Sequence, residues 1–132
     1  MAKAVKNTTK TKKKVIKSFE HGRIYIQSSF NNTIISFTDQ DGNVINWTSA
    51  GKEGFKGSRR STPYAAQVSA KKLYGLFEIH GVRSLDVFVS GVGTGRESAV
   101  RALQGMNVEI KSIKDTTPVP HNGCRAKKIR RV

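Results

Sequence analysis

Hydrophobic and polar positions alternate from Arg23 to Ser29, with Ile24 and Ile26 on one face and Tyr25 and Gln27 on the other. That period of two predicts a half-buried strand. Thr33 to Thr38 (TIISFT) is β-branched and aromatic. Val44 to Ser49 (VINWTS) returns after Asp39 to Asn43 (DQDGN), whose Asp-Gly step favours a tight turn. With Asn31-Asn32 turning the first pair, these three runs predict an antiparallel meander. Ala50 to Ser61 reads as a loop. The period then changes: Thr62 stands as an N-cap before Pro63, and Ala66, Ala70, Leu73 and Phe77 recur on one helical stripe until Gly81, which suits a C-cap. Ser84 to Ser90 (SLDVFVS) alternates again through Leu85, Val87 and Val89. A glycine loop, a helix from Arg96 to Gln104 and a fifth strand from Val108 to Ile113 complete the pattern. The order βββαβαβ predicts one α/β domain with a mixed five-stranded sheet, its later strands made parallel by right-handed crossovers.

Length and charge sharpen this picture. At 132 residues the chain can bury a core of its own. Of the net charge of +15, Met1 to Ser18 carries seven lysines and no acid, and His121 to Val132 carries five Lys or Arg and no acid. The segment between is close to neutral. A near-neutral core at residues 19–116, with a basic arm at 1–18 and a basic tail at 117–132, is the layout expected of a protein that docks on nucleic acid. The arm, Lys-rich and without aromatics, is expected to be disordered on its own. No apolar run approaches the ~20 residues a membrane helix needs, and a lone cysteine points to a reducing, cytoplasmic setting.

Two internal stretches and the tail are the candidate binding elements. Gly91 to Gly95 (GVGTG) follows a strand and opens a helix, where backbone N–H groups and the helix dipole can hold a phosphate with help from Arg96. It is neither a Walker loop nor a dinucleotide fingerprint. Asp115 stands about where a ribose-binding acid would, but the chain is short for a dinucleotide enzyme with a substrate site, so no nucleotide cofactor is expected. A nucleic-acid phosphate held there is the preferred reading, and a tight turn without a ligand the plainer alternative. Within Ala50 to Ser61, Lys56, Arg59 and Arg60 are separated by Gly57 and Ser58, which let a phosphate backbone approach guanidinium forks. Phe55 among them either stacks on an unpaired base or packs beneath the loop.

Catalytic readings fare worse. A metal-dependent nuclease of the ribonuclease-H-like class needs converging carboxylates, and Arg23 to Ser29 has none. Asp39 and Asp41 are explained by turn formation. His121 and Cys124 are too few for a zinc site and lie in a segment without predicted structure, so Cys124 is expected to be inert packing. Asn122-Gly123 is a step at which the Asn side chain can cyclise and leave an isoaspartate. DNA compaction would use the same charge, on duplex DNA.

Four collinear blocks carry a resemblance: SFNNTIISFTDQDGNVINW (Ser29 to Trp47), AGKEGFKGSRRSTPYAAQVSA (Ala50 to Ala70), GRESAVRAL (Gly95 to Leu103) and DTTPVPHNGCRAKKIRRV (Asp115 to Val132). The chain resembles the family of the eleventh protein of the small ribosomal subunit, of bacterial or organellar type. The resemblance implies a three-layer ribonuclease-H-like fold, helices on its sheet's faces, used for binding and not catalysis. It further implies small-subunit rRNA as the ligand, a place on the platform near the exit-site mRNA path, and ribosomal proteins seven and eighteen as neighbours. The setting would be the ribosome of the cytoplasm, or of an organellar stroma or matrix. The family's RNA-contacting loop maps onto Lys56, Gly57, Ser58, Arg59 and Arg60, its glycine turn onto Gly93, Gly95 and Arg96, and its basic tail onto Asn122, Arg125, Lys127, Lys128, Arg130 and Arg131. Val92, Thr94, Ala126 and Lys127 stand where members often carry prolines, which implies a less rigid turn and tail.

Overall fold

A computed structural model describes residues 15–132. Most of the expected basic arm, residues 1–14, lies outside the described residues. The elements are β1 (His21–Ser28), β2 (Thr33–Thr38), β3 (Val44–Ser49), α1 (Pro63–Lys72), α2 (Tyr74–His80), β4 (Ser84–Ser90), α3 (Gly95–Gln104) and β5 (Glu109–Asp115). They form an α/β fold around one five-stranded sheet of order β3-β2-β1-β4-β5. The meander pairs antiparallel, whereas β4 runs parallel to both β1 and β5. Class, element order and mixed sheet all agree with the pattern of the sequence.

Handedness decides where the helices go. Because β3 runs in the same direction as β1 and β4, both connections into parallel strands, β3 to β4 and β4 to β5, cross the sheet in one direction. Right-handed crossovers then lie over the same face. That face is the buried one. Ile24 and Ile26 of β1, Ile35 and Phe37 of β2, and Leu85, Val87 and Val89 of β4 pack there with Ala66, Ala70, Leu73, Phe77, Ala99 and Leu103 of the helical layer. Phe37 meets Phe77 edge-on, with centroids 5.0 Å apart. Each large side chain fully buried in this layer contributes roughly 1.5–3 kcal/mol of hydrophobic stabilisation. The alternate residues Arg23, Tyr25 and Gln27 face the other way and stay partly or fully exposed.

Three local differences from the sequence pattern have physical causes. The single helix expected between Pro63 and Gly81 is two helices, since at Leu73 the amide bonds to the Ala70 carbonyl three residues back and the coil tightens. The stripe survives this break, with Ala66, Ala70, Leu73 and Phe77 all buried. Gly81 closes α2 in the left-handed conformation (φ 69°), as its C-cap position requires. The fifth strand begins at Glu109 and runs on to Asp115, because pairing with β4 continues through Val89↔Asp115 after an irregularity near Asp86. Finally, the loop after β3 ends in a 3-10 turn, Gly57–Ser61.

Candidate nucleic-acid interface

Three of the predicted pieces meet where β1 and β4 end. Val89 and Ser90 of β4 lead into Gly91, whose φ of 96° is left-handed. A Cβ added at Gly91 would overlap the Ser28 carbonyl, one at Gly93 would overlap Ser28 Oγ and the Ser29 carbonyl, and one at Gly95 would overlap Thr33 Oγ1. These glycines are therefore needed for the turn to lie against the end of β1, and Gly93 N–H donates to the Ser28 carbonyl (3.0 Å). The plainer reading of the turn thus has a full geometric account, independent of any ligand.

Arg96 is already engaged. Its Nη1 donates to the Gly91 carbonyl (2.6 Å) and its Nη2 to Asp115 Oδ2 (2.6 Å). Asp115 accepts at Oδ1 from the Thr117 hydroxyl and amide. The Thr117 hydroxyl hydrogen bond first, and the Arg96 guanidinium after it, hold the Asp115 carboxyl well below the usual carboxylate range. Gly91 N–H donates to Thr117 Oγ1, and Thr116 N–H to the Val89 carbonyl. Arg96 is in this way the brace that ties the turn to the start of the tail. Asp115, which by spacing alone stands where a ribose-binding acid would, is occupied by Arg96 and Thr117 instead. Thr117 was not singled out from the sequence, although an Asp two residues before a Thr is the local signal of such a side-chain turn.

The second piece is the 3-10 turn carrying Gly57, Ser58, Arg59 and Arg60, preceded by Lys56. Gly57 has a φ of 59°. Ser61 Oγ donates to the Ser58 carbonyl (2.9 Å), Thr62 Oγ1 to the Arg59 carbonyl (2.7 Å), and Arg60 Nε to the Gly57 carbonyl (3.4 Å). Thr62 also accepts from Ala65 N–H, capping α1 as its position in the sequence predicts. Lys56 and Arg59 are exposed and make no ion pair among the described residues. Thr94 Oγ1 donates to the Ser61 carbonyl (2.7 Å), fastening this turn to the glycine turn. The turn, expected to be less rigid because Thr94 stands where family members often carry a proline, is restrained here by that hydroxyl bond. Phe55 is half-buried and packs edge-on against the exposed Tyr64, with centroids 6.0 Å apart.

Residues 118–132 leave from Thr117 and are exposed throughout, save that Val119 and the prolines add no core contact either. Asn122, Arg125, Lys127, Lys128, Arg130 and Arg131 are all in this segment. Asn122 is the one non-glycine with positive φ (62°) among the described residues, a conformation that Asn tolerates beside Gly123. Cys124 is exposed, so the expectation of buried packing is corrected: the tail never turns back over the core to cover it. Among the described residues no three of His, Cys, Asp and Glu group as a metal site. Asp39 accepts from the Asp41 and Asn43 amides, the turn role expected of it. Asp86 is held by Ser112 Oγ (2.8 Å) and His21 Nε2 (2.7 Å), bonds that keep its carboxyl below the usual range.

Comparison with known families agrees with this arrangement. The family description "Ribosomal protein S11" matches residues 22–131, from the first strand almost to the last residue of the tail. The match takes in both turns, the brace and the basic tail. The chain belongs to the ribosomal protein S11 family, and so to the structural, rRNA-binding proteins of the small ribosomal subunit.

Proposed function

We propose that the chain holds small-subunit rRNA through one composite surface. Lys56, Gly57, Ser58, Arg59 and Arg60 meet the phosphate backbone from the 3-10 turn. The glycine turn, which Gly93 and Gly95 seat against the sheet and Arg96 keeps in shape, presents its backbone to the RNA. Asn122, Arg125, Lys127, Lys128, Arg130 and Arg131 follow the RNA away from the core. The observation that carries this reading is the pair of links, Thr94 to Ser61 and Gly91 to Thr117, which gather three cationic or glycine-rich segments at one end of the sheet. Recognition is then mainly of backbone and shape, since A-form RNA hides its base edges in a deep major groove. The residues divide into an arm at 1–18, a domain at 19–116 and a tail at 117–132. The site lies on the platform near the exit-site mRNA path, with ribosomal proteins seven and eighteen beside it, and supports assembly.

Sedimentation of a cell extract tests the proposal. The protein is expected to travel with small subunits, and its binding to small-subunit rRNA to weaken steeply as salt rises. Binding that stays flat between low and moderate salt, or equal preference for duplex DNA, would overturn it. Peptide mapping of native material checks Asn122: an isoaspartate there is expected, and only unmodified Asn122 would remove that part of the proposal.

A further inference from the structure

The face of the sheet that no helix covers carries an ordered row of side chains. By strand register Trp47 of β3 stands beside Ser36 of β2, Ser36 beside Tyr25 of β1, Tyr25 beside Phe88 of β4, and Phe88 beside Lys114 of β5. Tyr25 and Phe88 are stacked nearly parallel (12°) with centroids 4.9 Å apart. That separation matches the spacing of neighbouring strands, about 4.8 Å, so the stack runs along the row. The second face of Tyr25 therefore turns toward Ser36, the small residue between it and Trp47. Trp47 is half exposed (49%). A cation closes each end of the row: Lys52 Nζ lies 4.6 Å from the Trp47 ring centroid, and Lys114 Nζ 5.8 Å from that of Phe88.

We infer that this row is a second RNA site, a stacking platform for unpaired bases, with a base lying over Ser36 between Tyr25 and Trp47. The charge on the face favours RNA over a protein. The row itself contains no acid. Asp86, in the next row, is engaged by His21 and Ser112, and Glu109 lies at the far corner opposite Ser84. Arg23, beside Asp86 in register, adds a cation to that next row. Aromatic rings receive bases of any sequence, and flanking cations take the phosphates between them. The inference rests on the RNA-binding reading but uses none of the residues assigned to the first surface.

The chain has a single tryptophan, so its emission reports on this row directly. The full protein is titrated with a short oligouridylate and with an abasic oligomer of the same length and charge. The oligouridylate is expected to quench Trp47 and to bind roughly five-fold or more tightly than the abasic strand, the range set by stacking one base. Tyr25→Leu is expected to lose that preference and Tyr25→Phe to keep it. Equal affinity for the two strands with unchanged Trp47 emission would overturn the platform. So would equal behaviour of the two Tyr25 variants, or loss of a protein partner in Tyr25→Leu without any oligouridylate binding. Failure of the first surface reads differently: rRNA affinity would then be indifferent to Arg59→Ala with Arg60→Ala, whatever Trp47 reports.

Discussion

The glycine turn and the basic tail are joined at Thr117, yet they are built on opposite principles. The turn is packed so closely against β1 that three of its glycines have no room for a Cβ, and both hydrogen-bonding ends of Arg96 are used within the protein. The tail is exposed and carries its cations outward. The contrast separates two ways of serving an RNA partner. The turn supplies shape at the cost of free charge, and the tail supplies charge without shape of its own.

The largest expected effect tests the first half of that contrast. Gly91→Ala forces a Cβ into the Ser28 carbonyl at a positive φ and is expected to destabilise the fold by about 3 kcal/mol or more. Gly75→Ala, in open space on α2, is expected to be neutral or to stabilise by up to ~1 kcal/mol. Denaturant unfolding of the two variants reads the difference, and similar midpoints would break the account of the turn. Deleting residues 121–132 is the reverse case. It should leave unfolding unchanged but reduce the steepness of log affinity against log salt by about 4, the share of five phosphate contacts.

A smaller effect compares anchored with unanchored charge. Arg59→Ala with Arg60→Ala is expected to weaken rRNA binding by about ten-fold, more than removal of two N-terminal lysines, because guanidinium groups on a tied turn lose less entropy on binding. Equal losses in a filter-binding assay would count against the 3-10 turn as a prepared site. The smallest effect concerns the brace. Because Asp115 is more acidic in the folded chain than in the unfolded one, its contribution is complete above the ordinary carboxylate range and fades as pH falls through its folded value. Asp115→Asn is expected to lower stability slightly at neutral pH and to flatten this acid-side decline, measured by thermal melts across pH. An unchanged acid limb would show that the bonds of Asp115 to Thr117 and Arg96 are incidental to stability.

Much of the fold was legible because it depends on neighbours in sequence. Ile24, Ile26, Leu85, Val87 and Val89 announced buried strand faces by alternation, Thr62 and Gly81 marked helix ends, and Asp39 marked a turn. The glycines were legible as a turn but not as a fit, since Ser28, Ser29 and Thr33, which exclude their side chains, are more than sixty residues away in the chain. Arg96, at the start of α3, read as a free cation for a similar reason: its partner Asp115 ends a different element, β5.

By itself the sequence determined the order of strands and helical segments, the residues that β1 and β4 bury, and the placing of charge at the ends, all of which follow from local periodicity and composition. Only the tertiary structure decided which sheet face the helices cover, which arginine is held inside the fold, and that Trp47, Ser36, Tyr25, Phe88 and Lys114 form one row. Those outcomes depend on crossover handedness and strand register, which align residues by their position in space and leave no periodic trace along the chain.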